Sequence, residues 1–321
     1  MTVVDADALD LVIELPDGPP SPPAHDTSST SAGSKVSSRR DPRAIGRALV
    51  LAAPAVLAVL AVWFLLYGLL LSGVEQHVMQ SRLYDEFRLQ LAGETAPLAE
   101  PVQAGSPVAM INAPSAGIYN LIVVEGTTSR LLMSGPGHLS DTPLPGQAGT
   151  SVILGRSVTF GAPFGRITQM TVGDVITVTT GEGVFRYRVE DVRRPGSPLP
   201  PSLDAGGSRL TLVSSASGGW RSGWAPTHTV CVDALLAGKA QPVPAGVPAT
   251  VSPASLPMHN DPSATVALIF WLEGLVLVTF AASRAWVRWG RFETWIVGAP
   301  VFLAVLWGTS DALMRFLPNL L

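Results

Sequence analysis

Side chains that could carry out chemistry are few in this chain of 321 residues. Its single cysteine, Cys231, excludes an intramolecular disulfide and a metal site built from several cysteines. No base accompanies this cysteine at a fixed spacing, so we expect a small, buried, apolar side chain. His138, His228, Asp141 and Glu125 do not form a metal-ligand spacing, and the sequence therefore predicts no metal site.

Patterns that bind phosphate or nucleic acid are also missing from the sequence. The turn Ser214–Gly219 is small and contains glycine, but it lacks the lysine of a phosphate-binding loop. No glycine pattern of a dinucleotide-binding fold stands between a strand and a helix. The formal net charge of −3 gives no electrostatic argument for nucleic acid. We therefore predict no cofactor and no nucleic-acid partner.

Three long apolar blocks dominate the composition, which is 47% hydrophobic. They predict transmembrane helices at residues 46–72, 264–286 and 294–316. About 20 apolar residues, rising about 1.5 Å each, are enough to cross the hydrocarbon core of a bilayer. The length of the first block, and of the polar segment before it, argues against a cleaved signal peptide. The sequence is thus typical of a membrane-anchored protein.

Arginine clusters predict the orientation of these helices, because arginine-rich loops stay on the cytoplasmic side of the membrane. One cluster precedes the first helix, and a second lies at or between the facing ends of the last two (Arg39, Arg40, Arg43, Arg47; Arg284, Arg288, Arg291). Both clusters predict the same topology. We expect a multi-pass protein of the cell membrane, with a cytoplasmic N-terminus and an extracytoplasmic domain between the first two helices.

Charged residues within the last two apolar blocks need an explanation, because a charge in lipid is costly. Glu273 lies near the middle of the second predicted helix, and no partner for it can be identified. Asp311 and Arg315 lie in the third, four residues apart, and can pair on one helix face. Two interpretations stay open for these residues, namely packing within the helical hairpin and a partner-binding or transport role.

Composition also separates the polar segments. Residues 1–45 are rich in Pro, Ser, Asp and Thr and predict a disordered cytoplasmic tail. Residues 73–105 predict a juxtamembrane helix and a linker, because apolar residues recur there at helical spacing. Residues 237–263 are rich in Pro, Ala and Ser and predict a linker to the second membrane helix.

Residues 106–236 predict a β-domain. Short runs rich in β-branched residues alternate there with turns that contain Gly or Pro (Asn120–Val124, Ser151–Leu154, Val175–Thr180, Val184–Val189, Arg209–Val213, Thr229–Val232). Several short strands separated by turns are typical of a closed β-barrel or a sandwich. The predicted fold class is therefore mainly β, with three transmembrane helices added.

Several segments of this β-domain, in the same order, resemble the sortase family and particularly its class E members. The resemblance covers roughly residues 113–236 and implies a sortase-like closed β-barrel. The matching segments are VVEGT at Val123–Thr127, SGPGH at Ser134–His138, LPGQ at Leu144–Gln147, SVILGRSVTFGAPF at Ser151–Phe164 and TLVSS at Thr211–Ser215.

The resemblance implies a cysteine that attacks the Thr–Gly carbonyl of an LPxTG-like sorting signal, a histidine for acid–base work and an arginine that stabilises the oxyanion. The corresponding positions are Ser215 for the cysteine, Arg156 for the histidine, and Thr229 or, after a one-residue slip, His228 for the arginine. All three positions differ from the family. A serine hydroxyl needs an adjacent base, and an arginine stays protonated and cannot be one.

We therefore expect a catalytically inactive sortase-like protein that acts as a binding or assembly subunit of a cell-envelope complex. Its partners would be other envelope membrane proteins or a surface polypeptide. The predicted groove contains His138, Thr159, Ser214 and Thr229. Of these, His138 is expected to fix its own loop.

Two catalytic alternatives stay open. In the first, histidine and arginine have exchanged places, so that Ser215 is the nucleophile of an acyl transferase or hydrolase, His228 its base and Arg156 the oxyanion clamp. This alternative requires a ring nitrogen of His228 within hydrogen-bond reach of Ser215 Oγ, with Asp233 as a possible orienting carboxylate. In the second, the alignment shifts, and the chain is a divergent sortase transpeptidase that acts on peptides similar to sorting signals.

Overall fold

The computed structural model describes residues 57–99, 101–216, 228–244 and 252–321. Three predicted features lie wholly or partly outside these ranges. They are the tail at 1–45, the start of the first membrane helix at 46–56 and a central part of the linker at 237–263.

Eight strands form a closed barrel within the described residues, which confirms the predicted fold class. The strands span Pro107–Ala113 (β1), Ile118–Glu125 (β2), Gly137–His138 (β3), Gly149–Leu154 (β4), Val175–Thr180 (β5), Gly183–Arg193 (β6), Ser208–Ala216 (β7) and His228–Leu236 (β8). Around the barrel they follow the order β1-β2-β3-β4-β7-β8-β6-β5. Most neighbouring strands are antiparallel, whereas β2 pairs parallel with β3, and β4 with β7.

The barrel encloses an apolar core because residues along each strand alternate between its two faces. In β6, Phe185, Tyr187 and Val189 are buried, whereas Arg186 and Arg188 between them are exposed. The core also receives aliphatic side chains from the other long strands (Ile111, Val123, Ile153, Ile176, Leu210, Leu212, Val232).

The parallel pairing of β4 and β7 determines where a site can form. Leu154, the last residue of β4, lies opposite Val213 of β7. The loop that follows β4 therefore begins beside Ser214 and Ser215, so the ends of the two strands meet at one edge of the barrel.

Three helices in the described part of the chain are long and apolar enough to cross a membrane. They are α1 (Leu57–Ala92), α2 (Ala264–Arg288) and α3 (Arg291–Phe316). Helix α1 passes through a π-helical turn at Tyr67–Leu71 and continues without a break. The predicted first membrane helix and the predicted juxtamembrane helix are thus parts of one helix.

Helix α1 docks on the barrel through a glutamine that pairs with strand backbone. The Gln80 side chain donates to the carbonyls of Ile122 and Ser134 at 3.0 and 2.9 Å, and it accepts from the Ile122 N–H at 2.8 Å. Because these backbone groups would otherwise be left unpaired at a helix–barrel contact, the side chain fixes the register of α1 on β2.

A buried apolar cluster joins α1, α3 and the barrel. Tyr67 of α1, Met314 of α3, and Met133 and Phe160 of two barrel loops pack together there. The Tyr67 ring also lies edge-on to Trp307 of α3, with 5.1 Å between the ring centroids. We call Tyr67, Met133, Phe160 and Met314 the junction cluster.

The charged residues that the sequence analysis placed in the predicted membrane helices fall into two environments. Asp311 and Arg315 form an ion pair on α3 with 2.5 Å between the oxygen and nitrogen atoms, as their spacing predicts. Trp63 of α1 contacts the same part of α3 by a hydrogen bond to Ser310 Oγ at 3.1 Å. Glu273, in contrast, lies on an exposed face of α2.

Candidate functional site

Ser215 lies near the end of β7, and the register of the neighbouring strand determines which residue faces it. Thr229 of β8 is directly opposite Ser215, and His228 is opposite Ala216. Residues directly opposite one another in an antiparallel pair project from the same face of the sheet. Of the two candidates for the third position, the residue across from Ser215 is therefore Thr229.

His228 is offset by one residue from the position opposite Ser215, and successive side chains along a strand alternate between its faces. The Arg156 guanidinium is bonded to Ser129 and Thr159. The structure therefore does not bring Ser215, His228 and Arg156 together as nucleophile, base and clamp. It gives no support to the alternative in which histidine and arginine have exchanged places.

Arg156 is fully buried in the loop after β4. Its guanidinium donates to the Ser129 carbonyl at 3.0 Å, to the Ser129 hydroxyl at 2.9 Å and to the Thr159 hydroxyl at 3.1 Å. The guanidinium carbon also lies 5.0 Å from the centre of the Phe160 ring, a cation–π contact. Burial lowers the pKa of Arg156 to about 9, because the charged form loses hydration. At neutral pH the side chain is still protonated and can only donate.

The loop that carries Arg156 is held by helix α1. Phe160 has a φ of 50°, in the left-handed region that residues other than glycine rarely adopt. Its N–H donates to Ser72 Oγ of α1 at 3.0 Å. Gly155 is needed at the start of the loop, because a Cβ there would come within 2.4 Å of the Phe164 ring. A strained backbone such as that of Phe160 persists only where surrounding contacts hold it in place, and the bond to Ser72 is one of these contacts.

A turn of the same chain occupies the space in front of Ser215. It consists of Leu317–Leu321, directly after α3, and we call it the strap. The Leu320 carbonyl accepts from Ser215 Oγ at 2.8 Å, from the Ser157 N–H at 3.1 Å and from Ser157 Oγ at 3.2 Å. The hydroxyls of Ser157 and Ser215 are 2.5 Å apart. Ser215 is thus bonded to a carbonyl and to a second serine.

Two further contacts hold the strap. The Leu321 carbonyl accepts from the Thr159 N–H at 3.2 Å and from the Thr159 hydroxyl at 2.6 Å. The Leu320 side chain is fully buried in an apolar pocket on the outer face of the barrel. The core of this pocket consists of Leu132, Leu154 and Val213.

The predicted groove residues have different surroundings. Thr159 contacts both the strap and Arg156. Ser214 is fully buried and donates to the Gly155 carbonyl at 2.8 Å, so it fixes the start of the loop. Thr229 is half-buried and borders a cavity.

His138 is fully buried, and both of its ring nitrogens have partners. Nδ1 lies 2.8 Å from Glu125 Oε2, and Nε2 lies 3.1 Å from the Pro143 carbonyl and 3.2 Å from Thr142 Oγ1. These bonds tie β2 and β3 to the following loop. This geometry agrees with the expectation that His138 fixes its own loop.

Asp233 and Cys231 lie further along β8, on the same face as Thr229. Asp233 is fully buried, forms an ion pair with Arg193 and accepts from Thr211 Oγ1 at 2.7 Å. Cys231 is half-buried and packs at the edge of the Leu320 pocket. Burial raises the pKa of the Cys231 thiol, with a smaller opposing effect of Arg193, so the reactive thiolate is disfavoured.

Two cavities open beside the Ser215 site. One of about 470 Å³ is lined by residues that include Arg193, His228, Thr229 and Cys231. The other, of about 660 Å³, has Ser157 in its wall. The cross-strand neighbour of Ser215 and its hydroxyl partner thus both border open space.

Sequence reasoning missed Ser129, Ser157 and the strap. The two serines carry no motif of their own and become partners of Arg156 and Ser215 only through the fold. The strap had a signal: a Leu-Pro pair, Leu317-Pro318, directly after an apolar helix.

Among the described ranges, no group of three or more His, Cys, Asp or Glu side chains could hold a metal ion. The site therefore rests on hydroxyls, backbone carbonyls and one buried guanidinium.

The closed barrel, with its site at the ends of β4, β7 and β8, is typical of one protein family. Comparisons of the chain with known proteins identify this family. Residues 111–214 match the family model of the sortase domain. The barrel is therefore a sortase domain, and through it the chain belongs to the sortase family. A comparison with the curated proteins gave no match.

Solved structures of sortases are similar to about half of this chain. Sortase E from Streptomyces avermitilis is 30% identical over 46% of this chain and 97% of its own, with a TM-score of 0.36. SrtA from Actinomyces oris is 26% identical over 44% and 85%, with a TM-score of 0.38. The sortase D5 transpeptidase from Clostridium perfringens is 23% identical over 50% and 99%, with a TM-score of 0.42.

Proposed function

We propose that this chain is a multi-pass membrane protein whose sortase domain lacks transpeptidase activity and acts as a binding or assembly subunit of a cell-envelope complex. The bonding of Ser215 carries the proposal. Among the described residues, its hydroxyl is bonded to the Leu320 carbonyl and to Ser157 Oγ, and neither can take up its proton at neutral pH. A serine without an adjacent base is a weak nucleophile.

The position of the family's acid–base residue supports the same proposal. Arg156 is protonated at neutral pH, and its guanidinium donates to Ser129 and Thr159. It cannot accept a proton from a nucleophile. A cysteine at position 215 would therefore still lack a base at position 156, so a single reversion should not restore transpeptidation.

The membrane helices support a role in assembly. Glu273 lies on an exposed face of α2, nine residues and therefore about 14 Å from its first residue. It lies in a shallow apolar groove with Leu272 and Val276. A carboxylate in this position is costly in lipid and is stabilised by a partner that supplies a proton donor. The proposed partner is a membrane helix with a basic or hydrogen-bond-donating residue at that depth.

The proposed orientation follows from the arginine clusters. Arg284, Arg288 and Arg291 surround the short connection between α2 and α3, which we place on the cytoplasmic side. The barrel then lies outside the cell membrane, where a surface polypeptide or the outer parts of other envelope proteins are within its reach.

A turnover assay tests the loss of catalysis. The full chain in detergent micelles is incubated with an LPxTG-like peptide and an amine acceptor, and separately with a serine-reactive probe. We expect neither cleavage nor labelling that depends on Ser215, with Ser215→Ala as the matched variant. Cleavage or labelling that disappears in Ser215→Ala would overturn the proposal.

A co-purification experiment tests the role in assembly. Glu273→Leu should lose membrane partners that wild type retains after mild detergent extraction, and Glu273→Gln, which keeps hydrogen-bonding groups, should retain part of them. Asp311→Asn is the matched control, because Asp311 pairs within its own helix. Identical partner profiles for Glu273→Leu and wild type would exclude this surface.

A further inference from the structure

The last three residues of the strap, Asn319, Leu320 and Leu321, have the contacts of a bound ligand. Asn319 is fully buried, and its side-chain amide donates to the carbonyls of Thr127 at 3.1 Å and Leu256 at 2.9 Å. Its backbone N–H donates to the His259 carbonyl at 3.0 Å. Each donor of Asn319 thus meets a carbonyl, whereas its buried side-chain oxygen has no partner among the described residues. A segment that rested on the barrel by chance would not pair all of its buried donors, because an unpaired buried donor costs free energy.

The next residue contributes shape as well as hydrogen bonds. The Leu320 side chain fills the pocket formed by Leu132, Leu154 and Val213, and its carbonyl receives three donors from Ser157 and Ser215. A side chain in a closed pocket together with a multiply bonded carbonyl is how peptide sites select a residue and fix its direction.

The strap sequence also fits the position. Leu317-Pro318-Asn319-Leu320 has the Leu-Pro pair at the spacing of the sorting signals that the sortase resemblance implies. The carbonyl of its fourth residue lies 2.8 Å from Ser215 Oγ, at the position that corresponds to the nucleophile. Leucine replaces the threonine of such signals, and it occupies an apolar pocket.

We propose that the strap is an intramolecular ligand of the sortase groove, which keeps the groove closed to other peptides of the Leu-Pro-x-aliphatic type. The tether is short, because Leu317 follows the last residue of α3 and packs against the junction cluster. A ligand tethered in this way competes at a high effective concentration. The inference concerns the ligand of the groove and goes beyond the proposed loss of catalysis.

Fluorescence anisotropy with the full chain in detergent micelles tests the proposal. The probe is a labelled peptide that contains Leu-Pro-Asn-Leu-Leu, with Leu-Pro-Asn-Asp-Leu as the matched peptide. Leu320→Asp should expel the strap and tighten peptide binding by about 10-fold or more. Leu199→Asp is the control, because Leu199 is 85% exposed and belongs neither to the lining of the two cavities nor to the Leu320 pocket. It should bind the probe as weakly as wild type.

A groove variant shows where the peptide binds. Adding Ser157→Ala to Leu320→Asp removes the hydroxyl that would donate to the carbonyl of the fourth peptide residue, while the backbone N–H of residue 157 remains. The double variant should therefore lose part of the gained binding. Folded Leu320→Asp protein that binds the probe no better than wild type would overturn the proposal, as would equal binding of the two peptides.

A second measurement covers a variant that is too unstable to bind. If Leu320→Asp lowers the Tm strongly, the Leu-Pro-Asn-Leu-Leu peptide should raise the Tm of this variant and the Asp-containing peptide should not. No rise in Tm would overturn the proposal. Mass spectrometry of the recovered peptide separates the two proposals, because a cleaved peptide would contradict the loss of catalysis and leave the groove assignment intact.

Discussion

Strands β6 and β7 flank the same neighbour, β8, yet their surroundings differ. In β6, exposed arginines alternate with buried apolar residues, as in a strand with one face in water. In β7, every residue from Ser208 to Ser215 is buried. The inner face of β7 packs in the barrel core, and its outer face is covered by the strap and by side chains of β6 and β8.

The comparison shows how a sortase groove can become an internal interface. The hydroxyls on the outer face of β7 are paired within the chain, Thr211 with Asp233 and Ser215 with the Leu320 carbonyl. Polar groups on a face that binds substrate are usually left available to it. Here the chain supplies their partners itself, which is the strongest structural difference between this face and the open face of β6.

The largest expected change in unfolding free energy comes from breaking the Arg193–Asp233 ion pair, which covers the outer face of β7. Arg193→Met leaves Asp233 fully buried with Thr211 as its remaining side-chain donor. Removing one member of a buried pair costs about 3–5 kcal/mol, because the other charge stays desolvated. Chemical denaturation of the full chain in micelles measures this. The matched control is Arg188→Met on the exposed face of β6, and equal effects of the two would break the comparison.

The next effect concerns the strap. Leu320→Ala should lower the unfolding free energy by about 2–5 kcal/mol, because it empties a buried apolar pocket. Leu199→Ala, at an exposed leucine, should change it by less than about 0.5 kcal/mol. The same denaturation experiment compares them. A small effect of Leu320→Ala would mean that the outer face of β7 does not need its cover.

A smaller effect is expected for a single hydroxyl. Thr211→Val removes a donor from the buried Asp233 carboxylate and should cost about 1–3 kcal/mol. Thr177→Val on half-buried β5 is the control and should stay within about 0.5 kcal/mol. If both variants unfold like wild type, the buried Thr211 hydroxyl contributes no more to stability than the half-buried Thr177 hydroxyl.

The smallest effect is expected for Arg156, a buried arginine whose bonds go to neutral groups. Arg156→Met loses hydrogen bonds but removes a desolvated charge, so the unfolding free energy should change by less than about 1 kcal/mol. Burial lowers the folded-state pKa of Arg156 to about 9, below that of the unfolded chain, so the unfolded chain binds the proton more tightly and stability rises with pH only above about pH 8. The difference from wild type should therefore be constant between about pH 6 and pH 8, and a slope there would contradict the buried, protonated guanidinium.

Much of the fold could be predicted because its signals are local. The β-branched runs gave six of the barrel strands, with boundaries within a few residues for Ser151–Leu154 and Val175–Thr180. Helices α2 and α3 follow from apolar length, and the Asp311–Arg315 pair from helical spacing. Strands β1 and β3 were missed. Pro107–Ala113 is buried at most positions and shows no clean alternation, and Gly137–His138 is only two residues long.

The site was predictable only where one residue determines its own chemistry. Arg156 cannot be a base whatever surrounds it, so the sequence was enough. The choice between His228 and Thr229 needed the register of β7 and β8, since a shift of one residue reverses the face. The two partners of Ser215, Ser157 and the Leu320 carbonyl, lie 58 and 105 residues away in the sequence, and no local pattern connects them to Ser215.

Because the strap follows α3 directly, a free peptide must exceed a threshold concentration before it can displace the strap from the groove. A free peptide displaces the strap only where its own concentration, divided by its dissociation constant, exceeds the same ratio for the tethered segment. Scarce peptides would leave the groove closed, and a peptide concentrated on the same membrane surface would open it. Any movement of α3 along its axis shifts that threshold, so helix packing in the bilayer and occupancy of the barrel are thermodynamically linked.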